Sequence, residues 1–201
     1  MSTEQQTHAP QCKIAIVWGS TTGSTHEVAE KLHQALGPQV SICCNVKDMP
    51  VQQMLQYDVV LIGASTWNCG EIQCDWPSRL QKMATTDWSS VHFGLFGCGD
   101  AFSYESTFAD ALGIIWETLA PQGARLIGKW PVTGYEFESS KALCDEGLMF
   151  LGLPIDNDNA AAQTDDRISR WVKQIKLEIE AISKCSTVST PANATTQAHS
   201  G

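Results

Sequence analysis

Three short runs of apolar residues place the strongest constraint on how this chain folds. They are Lys13–Val17 (KIAIV), Asp58–Ala64 (DVVLIGA) and Val91–Gly97 (VHFGLFG). The apolar residues in each run are consecutive and do not alternate with polar ones, so a strand made from any of them has to be buried on both faces. Strands of that kind occur in parallel sheets that are covered by helices on both sides. The runs therefore predict the interior of an α/β protein.

Segments with helical periodicity separate these runs. Val28, Leu32 and Leu36 form one apolar face after the first run, and Ser24 followed by Glu27 is the sequence pattern of a helix-capping box. The other predicted elements are strands at 40–44 and 148–153 and helices at 51–56, 76–83, 107–119 and from residue 164 onward. This alternation predicts a doubly wound α/β sandwich with right-handed crossovers.

The composition is that of one globular domain. The chain has 201 residues, of which 43% are hydrophobic, which is enough to bury a large core. The first residues and the Ser/Thr/Ala-rich end lack apolar patterning. We therefore expect a flexible N-terminal tail over residues 1–11, a folded domain over 12–183 and a disordered C-terminal tail over 184–201.

Charge and cysteine usage narrow the class of protein. A net charge of −9 argues against nucleic acid and anionic membranes and favours basic partners, although acidity also serves solubility alone. The start of the chain lacks a secretory signal pattern, and no apolar run is long enough to cross a membrane. The eight cysteines are scattered without metal-binding spacing, so we expect a cytoplasmic protein with reduced cysteines and no metal site.

Ligands of doubly wound proteins bind at the carboxyl ends of the strands, which here directs attention to residues 18–25, 64–71 and 97–107. The first of these segments contains Gly19–Thr25 (GSTTGST), which matches neither nucleoside-triphosphate nor dinucleotide fingerprints. Its hydroxyls, its backbone N–H groups and the following helix N-terminus can hold a phosphate without Lys or Arg. An ordinary Ser/Thr-rich turn remains the alternative from this loop alone.

The three loops together resemble those of the flavodoxins, specifically the long-chain bacterial type. The matching segments are GSTTGST, STWNCGEIQCDWP at Ser65–Pro77 and FGCGDAFSYESTFADALG at Phe96–Gly113, in the same order along residues 13–183. The resemblance implies a five-stranded parallel sheet of order 2-1-3-4-5, helices on both faces and a long-chain insertion in the last strand. It also implies that the chain binds flavin mononucleotide (FMN) non-covalently.

The resemblance assigns each site residue by its position in the matching segments. The residues that it places around the FMN phosphate are Ser20, Thr21, Thr22, Gly23, Ser24 and Thr25. Trp67 and Tyr104 would cover the two faces of the flavin ring. The residues that it places along the ring edges are Thr66, Asn68, Cys69, Gly70, Cys98, Gly99 and Asp100, with Thr107 and Asp158 as further contacts. Ala64-Ser65 departs from the residues that are usual before this hairpin in the family.

The implied function is low-potential electron transfer. Two electron-rich aromatic faces and a phosphate held without a cation would both disfavour the anionic hydroquinone, so the protein would shuttle between semiquinone and hydroquinone. We expect no catalytic residues. The alternative is an FMN-dependent NAD(P)H quinone or nitro reductase, which needs one open ring face; a regulatory protein that has lost its flavin would show eroded loops.

The expected partners follow from the charge distribution. Between residues 58 and 110 the chain has seven acidic residues against only Arg79 and Lys82. Such a surface suits brief docking of basic redox proteins, because complementary charge mainly accelerates encounter. By resemblance the donor is a ferredoxin/flavodoxin–NADP reductase, the acceptors are enzymes that need low-potential electrons, and the protein is a monomer.

Overall fold

The computed structural model describes residues 12–188. The strands, in chain order, are β1 (Ile14–Gly19), β2 (Val40–Asn45), β3 (Val59–Ala64), β4 (Thr66–Trp67), β5 (Glu71–Ile72), β6 (His92–Cys98), β7 (Arg125–Ile127), β8 (Trp130–Pro131), β9 (Leu143–Cys144), β10 (Met149–Phe150) and β11 (Gly152–Ile155). The helices are α1 (Ser24–Leu36), α2 (Val51–Met54), α3 (Pro77–Met83), α4 (Asp110–Leu119), α5 (Asn157–Ala160) and α6 (Thr164–Val188).

The main sheet is parallel and has the order β2-β1-β3-β6-β11, with the short strand β7 also paired to β6. The three apolar runs form β1, β3 and β6, and the described side chains of β3 are all buried. The predicted order 2-1-3-4-5 is confirmed when β6 is counted as the fourth strand and β11 as the fifth.

Two separate segments share the fifth strand position. β7 pairs with His92–Gly94, in the first half of β6, and β11 pairs with Leu95–Cys98 in the second half. Between β7 and β11 the chain forms a small antiparallel sheet of order β8-β10-β9. The single strand predicted at 148–153 was wrong, because those residues divide between β10 and β11. That this segment is the insertion typical of long-chain flavodoxins stays a prediction.

Helices cover both faces of the sheet. α1 packs against α6 on one side, and α3 packs against α4 on the other. Gly94 and Gly97 of β6 face opposite layers, since a Cβ at Gly94 would lie 3.5 Å from Ile175 of α6 and a Cβ at Gly97 would lie 3.1 Å from Leu112 of α4. The core is therefore two apolar layers, one on each side of the sheet.

Two helix starts differ from the predicted ones. The N-cap of α1 is Gly23, with φ of 101°, and no side chain caps the helix, so the predicted capping box at Ser24 and Glu27 was wrong. α4 begins at Asp110 rather than 107, because Ala109 adopts a left-handed conformation with φ of 59°. Both irregular residues lie in the loops at the carboxyl edge of the sheet.

The ends of the chain lie outside the described residues. This applies to the predicted N-terminal tail, 1–11, and to residues 189–201 of the predicted C-terminal tail. Residues 184–188, which were also assigned to that tail, form the last turn of α6. Among residues 12–188, no helix combines the length and apolar character that a membrane crossing requires.

Candidate functional site

The loop from β1 to α1 presents polar groups that the protein itself leaves unused. Gly23 N donates to Ser20 Oγ at 3.0 Å, which folds the loop back toward the helix start. Because no side chain caps α1, its first N–H groups are left for solvent or a ligand. Thr25 Oγ1 is buried and has no hydrogen-bond partner among the described residues. A buried hydroxyl without a partner is costly, so this loop has the features of an anion-binding site that a ligand completes.

The second loop is a short hairpin formed by β4 and β5, and it orients Trp67. The indole Nε1 of Trp67 donates to Ser65 Oγ at 2.8 Å, and the ring is half-buried. At the turn, Asn68 has a positive φ of 46° and donates through Nδ2 to Glu71 Oε2 at 3.0 Å. Thr66 Oγ1 accepts from the N–H of Ala111, which anchors the hairpin to the start of α4.

Gly70 closes this hairpin at a position where any side chain would be strained. Its φ is 91°, and a Cβ at this position would lie 2.6 Å from Asp110 Oδ2. Asp110 is only 2% exposed, and its Oδ1 accepts from Lys141 N at 2.7 Å. The carboxylate therefore joins α4 to the segment between β7 and β11, and the glycine allows the hairpin to lie against it.

The third loop, residues 99–107, is organised by Asp100. Its Oδ1 accepts from the N–H groups of Phe102 and Ser103 and from Asn159 Nδ2, at 3.0, 2.8 and 2.9 Å. The hydrogen bonds from Ser103, the largest cause, lower the pKa of Asp100 to about 2. Tyr104, whose N–H donates to Asp100 O, is presented by this loop with 45% of its surface exposed.

The segment between β7 and β11 supports the same loop from behind. The N–H groups of Glu138 and Ser139 donate to Glu105 O at 2.8 and 3.0 Å, and the Ser139 hydroxyl donates to Ser106 O. The buried carboxylate of Asp156 accepts from Ala101 N at 3.3 Å. The loop that presents Tyr104 is thus held on both sides by hydrogen bonds from parts of the chain that are distant in sequence.

The three loops enclose one open cavity of about 350 Å³. Eleven of the predicted site residues line it: Thr22, Ser24, Thr25, Thr66, Trp67, Asn68, Cys98, Gly99, Asp100, Tyr104 and Asp158. None of the lining residues is Lys or Arg. The structure therefore brings both aromatic side chains and the Ser/Thr loop to one cavity at the carboxyl ends of β1, β3 and β6, as expected for this architecture.

Six predicted site residues do not line the cavity: Ser20, Thr21, Gly23, Cys69, Gly70 and Thr107. Thr21 accepts from Gln73 Nε2 at 3.3 Å, and the N–H of Thr107 donates to Tyr104 O. Their positions shape the loops that enclose the cavity. Two lining residues were not predicted, namely Ser65 and Asn157. Both could have been found from the sequence, because Ser65 directly follows a buried strand and Asn157 is the neighbour of the predicted contact Asp158.

The cavity has no reactive thiol pair. Burial, the largest cause, raises the pKa of the Cys98 thiol to about 12, so the sulfur is protonated near neutral pH. Cys69 is exposed and lies outside the cavity lining. The described cysteines are all free thiols. Cysteine-based redox chemistry is therefore not supported at this site.

The seven acidic residues between 58 and 110 do not form one surface at the cavity, so the docking surface expected from the sequence needs correction. Asp58 and Asp87 precede β3 and β6 and so lie at the opposite, amino edge of the sheet. Asp110 is buried, and Asp75 pairs with Lys47 at 3.0 Å. Of the seven, only Glu71, Asp100 and Glu105 remain near the site. Asp158, which is not one of the seven, also lines the cavity.

These features define a class of protein: a doubly wound α/β protein with a polar loop before an uncapped helix and two aromatic side chains at one cavity. The family profile described as "Flavodoxin" matches residues 16–171. The flavodoxin of Klebsiella pneumoniae is 38% identical over 166 residues, covering 83% of this chain and 94% of that protein. Flavodoxin 1 of Escherichia coli K12 is 39% identical over 164 residues, covering 82% and 93%. The chain therefore belongs to the flavodoxin family, whose members are electron-transfer proteins rather than enzymes.

Solved structures agree on the fold. Fusobacterium nucleatum flavodoxin bound to flavin mononucleotide superposes with a TM-score of 0.77 at 23% identity, covering 83% of this chain and 98% of that one. Its K13G mutant, also bound to flavin mononucleotide, gives a TM-score of 0.78 at 24% identity, covering 84% and 97%. At this level of identity the similarity concerns the arrangement of strands and helices.

Proposed function

We propose that this flavodoxin is a low-potential one-electron carrier that uses non-covalently bound FMN. The observation that supports this most directly is the pairing of Trp67 and Tyr104, which lie on two separate loops and line the same cavity. A flat ring needs two such side chains if both of its faces are to be covered. Membership of the flavodoxin family supports the same cofactor and the same role.

The residues present fit the phosphate of FMN. Thr25 offers a buried hydroxyl that has no partner among the described residues, and α1 offers uncapped N–H groups at its first turn. Thr22 and Ser24 line the same end of the cavity. We propose that these groups hold the phosphate, with Ser20, Thr21 and Gly23 shaping the loop. A helix N-terminus and hydroxyl donors hold an anion well without a cation.

The residues around the ring would control its potential. Bound FMN supplies one-electron redox chemistry. Trp67 and Tyr104 would exclude water from both ring faces, and aromatic stacking contributes about 1 kcal/mol for each face. Thr66, Asn68, Gly99 and Asp100 would contact the ring edges. The cavity lining contains two carboxylates and no cation, so added negative charge is poorly compensated there.

We propose that the partners dock at the rim of this cavity. Glu71, Glu105 and Asp158 are exposed there, beside the exposed side chain of Tyr104. This surface suits a basic ferredoxin/flavodoxin–NADP reductase as the electron donor. The acceptors would be enzymes with similar basic docking faces. The carrier would cycle between its half-reduced and fully reduced states. We propose that the carrier is cytoplasmic. It would also be a monomer, because brief exchange between several partners requires that this rim stay accessible.

An anaerobic reductive titration of the purified protein, followed by visible absorbance, tests the proposal. We expect a yellow protein that takes up one electron to give a long-lived blue form and bleaches only with the second. Bleaching in one step would exclude the one-electron carrier and favour two-electron chemistry. A colourless protein that takes up no added FMN would exclude the cofactor. A Thr25→Val variant should bind FMN more weakly, which would connect the unsatisfied hydroxyl to the phosphate.

A further inference from the structure

Three potential metal ligands come together between α1 and β2, away from the flavin cavity. Glu30 and His33 lie one turn apart on α1, and Cys43 lies on the neighbouring edge strand β2. One ligand atom from each of the three side chains lies within 4.8 Å of the other two, and all three residues are partly buried. Glu30 is six residues from the start of α1, which is about 9 Å along the helix axis. The cluster is therefore separate from the phosphate loop.

We propose that Glu30, His33 and Cys43 form a zinc-binding site, with water as the fourth ligand. Zinc accepts carboxylate, imidazole and thiolate ligands in a tetrahedral arrangement. The Sγ of Cys43 lies 3.7 Å from Glu30 Oε1. Two ligands of one tetrahedral zinc, a thiolate and a carboxylate oxygen, lie about 3.6 Å apart when usual bond lengths are applied. One edge of the coordination polyhedron is thus already present.

Charge and hardness favour zinc over magnesium or calcium. A thiolate, a carboxylate and a neutral imidazole together balance the two positive charges of the ion. Magnesium and calcium prefer oxygen ligands throughout, whereas zinc takes sulfur and nitrogen readily. On coordination the Cys43 thiol gives its proton to solvent, and the hydrogen bond that it now donates to Glu30 is replaced by the two bonds to the metal.

The surroundings of the cluster resemble the outer shell of a metal site. Trp18 Nε1 is a buried donor that has no hydrogen-bond partner among the described residues, and Trp18 lies on the same face of the sheet as Cys43, because Cys43 pairs with Ile16, two residues earlier in β1. An indole N–H near a metal-bound thiolate would gain a strong acceptor. His26 Nε2 lies 3.6 Å from Glu30 Oε1, and its ring stacks on Trp18 at 4.1 Å. Groups of this kind orient the ligands of metal sites.

The sequence pattern alone did not point to this site. The proposal replaces the expectation, made from the sequence, that the protein has no metal site. Glu30 and His33 are at helical spacing, but the third ligand comes from a different element ten residues further on. Whether Cys43 or Cys44 faces α1 depends on the register of β2. The structure places Cys43 on that side, since its Sγ lies 4.0 Å from Ala29 O.

Calorimetric titration of zinc sulfate into the full-length, FMN-loaded and chelator-treated protein tests the proposal. We expect one zinc per chain for the wild type and for Cys44→Ser, a matched control on the opposite face of the same strand. Cys43→Ser and His33→Gln should each bind zinc at least tenfold more weakly. Equal affinity of Cys43→Ser and wild type would overturn the proposal, as would loss of binding in Cys44→Ser or no binding to the wild type.

X-ray absorption at the zinc edge supplies an independent readout. We expect one sulfur at about 2.3 Å with nitrogen and oxygen completing the shell. A shell without sulfur would overturn the proposal. The visible spectrum of the flavin, unchanged in each variant, confirms that the protein is folded. His33→Gln changes a partly exposed side chain on α1, so we expect this variant to fold. It therefore still tests the zinc site if Cys43→Ser is poorly stable.

Discussion

Trp67 Nε1 donates to Ser65 Oγ at 2.8 Å, so the residue that ends the buried strand β3 also sets the orientation of the indole in the hairpin that follows. Ser65 is 9% exposed and lines the cavity. Ser65 therefore has a structural role, which is to hold the side chain that is proposed to cover one face of the flavin.

Ser65→Ala should weaken FMN binding by about fivefold, because a net hydrogen bond is worth about 1 kcal/mol. The quenching of flavin fluorescence on titration with apoprotein measures the dissociation constant. Trp67→Phe keeps an aromatic ring but removes the donor, so Ser65→Ala added to Trp67→Phe should have little further effect. Additive losses in the double variant would show that Ser65 acts without the indole.

Gly70→Ala should destabilise the protein more than a positive φ alone explains. The new Cβ would lie 2.6 Å from Asp110 Oδ2, a buried carboxylate with little freedom to move. Gly134→Ala is the matched control, because Gly134 has nearly the same φ, 88° against 91°, and nothing within 4 Å of its Cβ. We expect the control to cost about 1 kcal/mol and Gly70→Ala roughly 2 kcal/mol more. Urea unfolding of both variants measures the difference, and equal losses would contradict the proposed clash.

The ionised side chain of Asp100 should make stability depend on pH at the acidic end. The pKa of Asp100 in the folded protein is about 2, mainly because of the hydrogen bonds from Ser103, whereas an unfolded Asp titrates near 4. A lowered pKa means that the charged form stabilises the fold above about pH 4 and that this contribution is lost as the pH falls toward about 2.

Asp100→Asn tests this directly, because the amide keeps an acceptor oxygen but cannot ionise. Urea unfolding of wild type and variant should give a stability difference near neutral pH that shrinks as the pH falls below about 4. Asp166→Asn, at an exposed carboxylate on the first turn of α6, controls for the loss of one negative charge. A difference that stays constant from about pH 7 to about pH 3 would mean that the charge of Asp100 does not stabilise the loop.

The central strands could be predicted from the sequence because burial on both faces leaves a local pattern. The apolar runs at 13–17, 58–64 and 91–97 mark β1, β3 and β6 to within two residues. The short strands β7 to β10 left no such pattern, because two or three residues are too few to show periodicity. The start of α4 was placed three residues too early, since a left-handed residue such as Ala109 cannot be recognised from its identity.

The site could be located but not built from the sequence. The rule that ligands bind at strand ends selected the three loops that enclose the cavity, and the resemblance supplied the residue types. The bonds that position those residues connect distant segments, such as Asp100 with Asn159 and Ala111 with Thr66. Such pairs follow from the packing of the whole sheet, which no local pattern encodes.

The proposed phosphate-binding loop, residues 19–25, contains no cation, and this absence should lower the potential of the bound flavin. Thr22 lines the cavity and is exposed, so Thr22→Lys would place a positive charge beside the proposed phosphate. We expect the second midpoint potential to rise by an amount on the order of tens of millivolts, because the cation offsets part of the repulsion. Anaerobic spectroelectrochemistry measures both potentials. Gln34→Lys, about 15 Å along α1 from Ser24, adds the same charge at a distance and should leave the potentials nearly unchanged. Equal shifts in the two variants would show that net charge alone matters.

Glu71 and Glu105 should accelerate encounter with a basic reductase. Both are exposed at the carboxyl edge, on either side of the cavity. Replacing both by Gln should slow reduction about threefold or more at about 0.01 M salt, and the difference should fade near 0.15 M as the charges are screened. Stopped-flow absorbance with a basic ferredoxin–NADP reductase measures the rate.

The matched control replaces Glu117 and Glu180 by Gln. These two residues are exposed on α4 and α6 toward the opposite edge, and the double variant has the same net charge as the first one. Because steering depends on where the charge lies, only the first variant should be slow, and equal slowing of both would place the docking surface elsewhere.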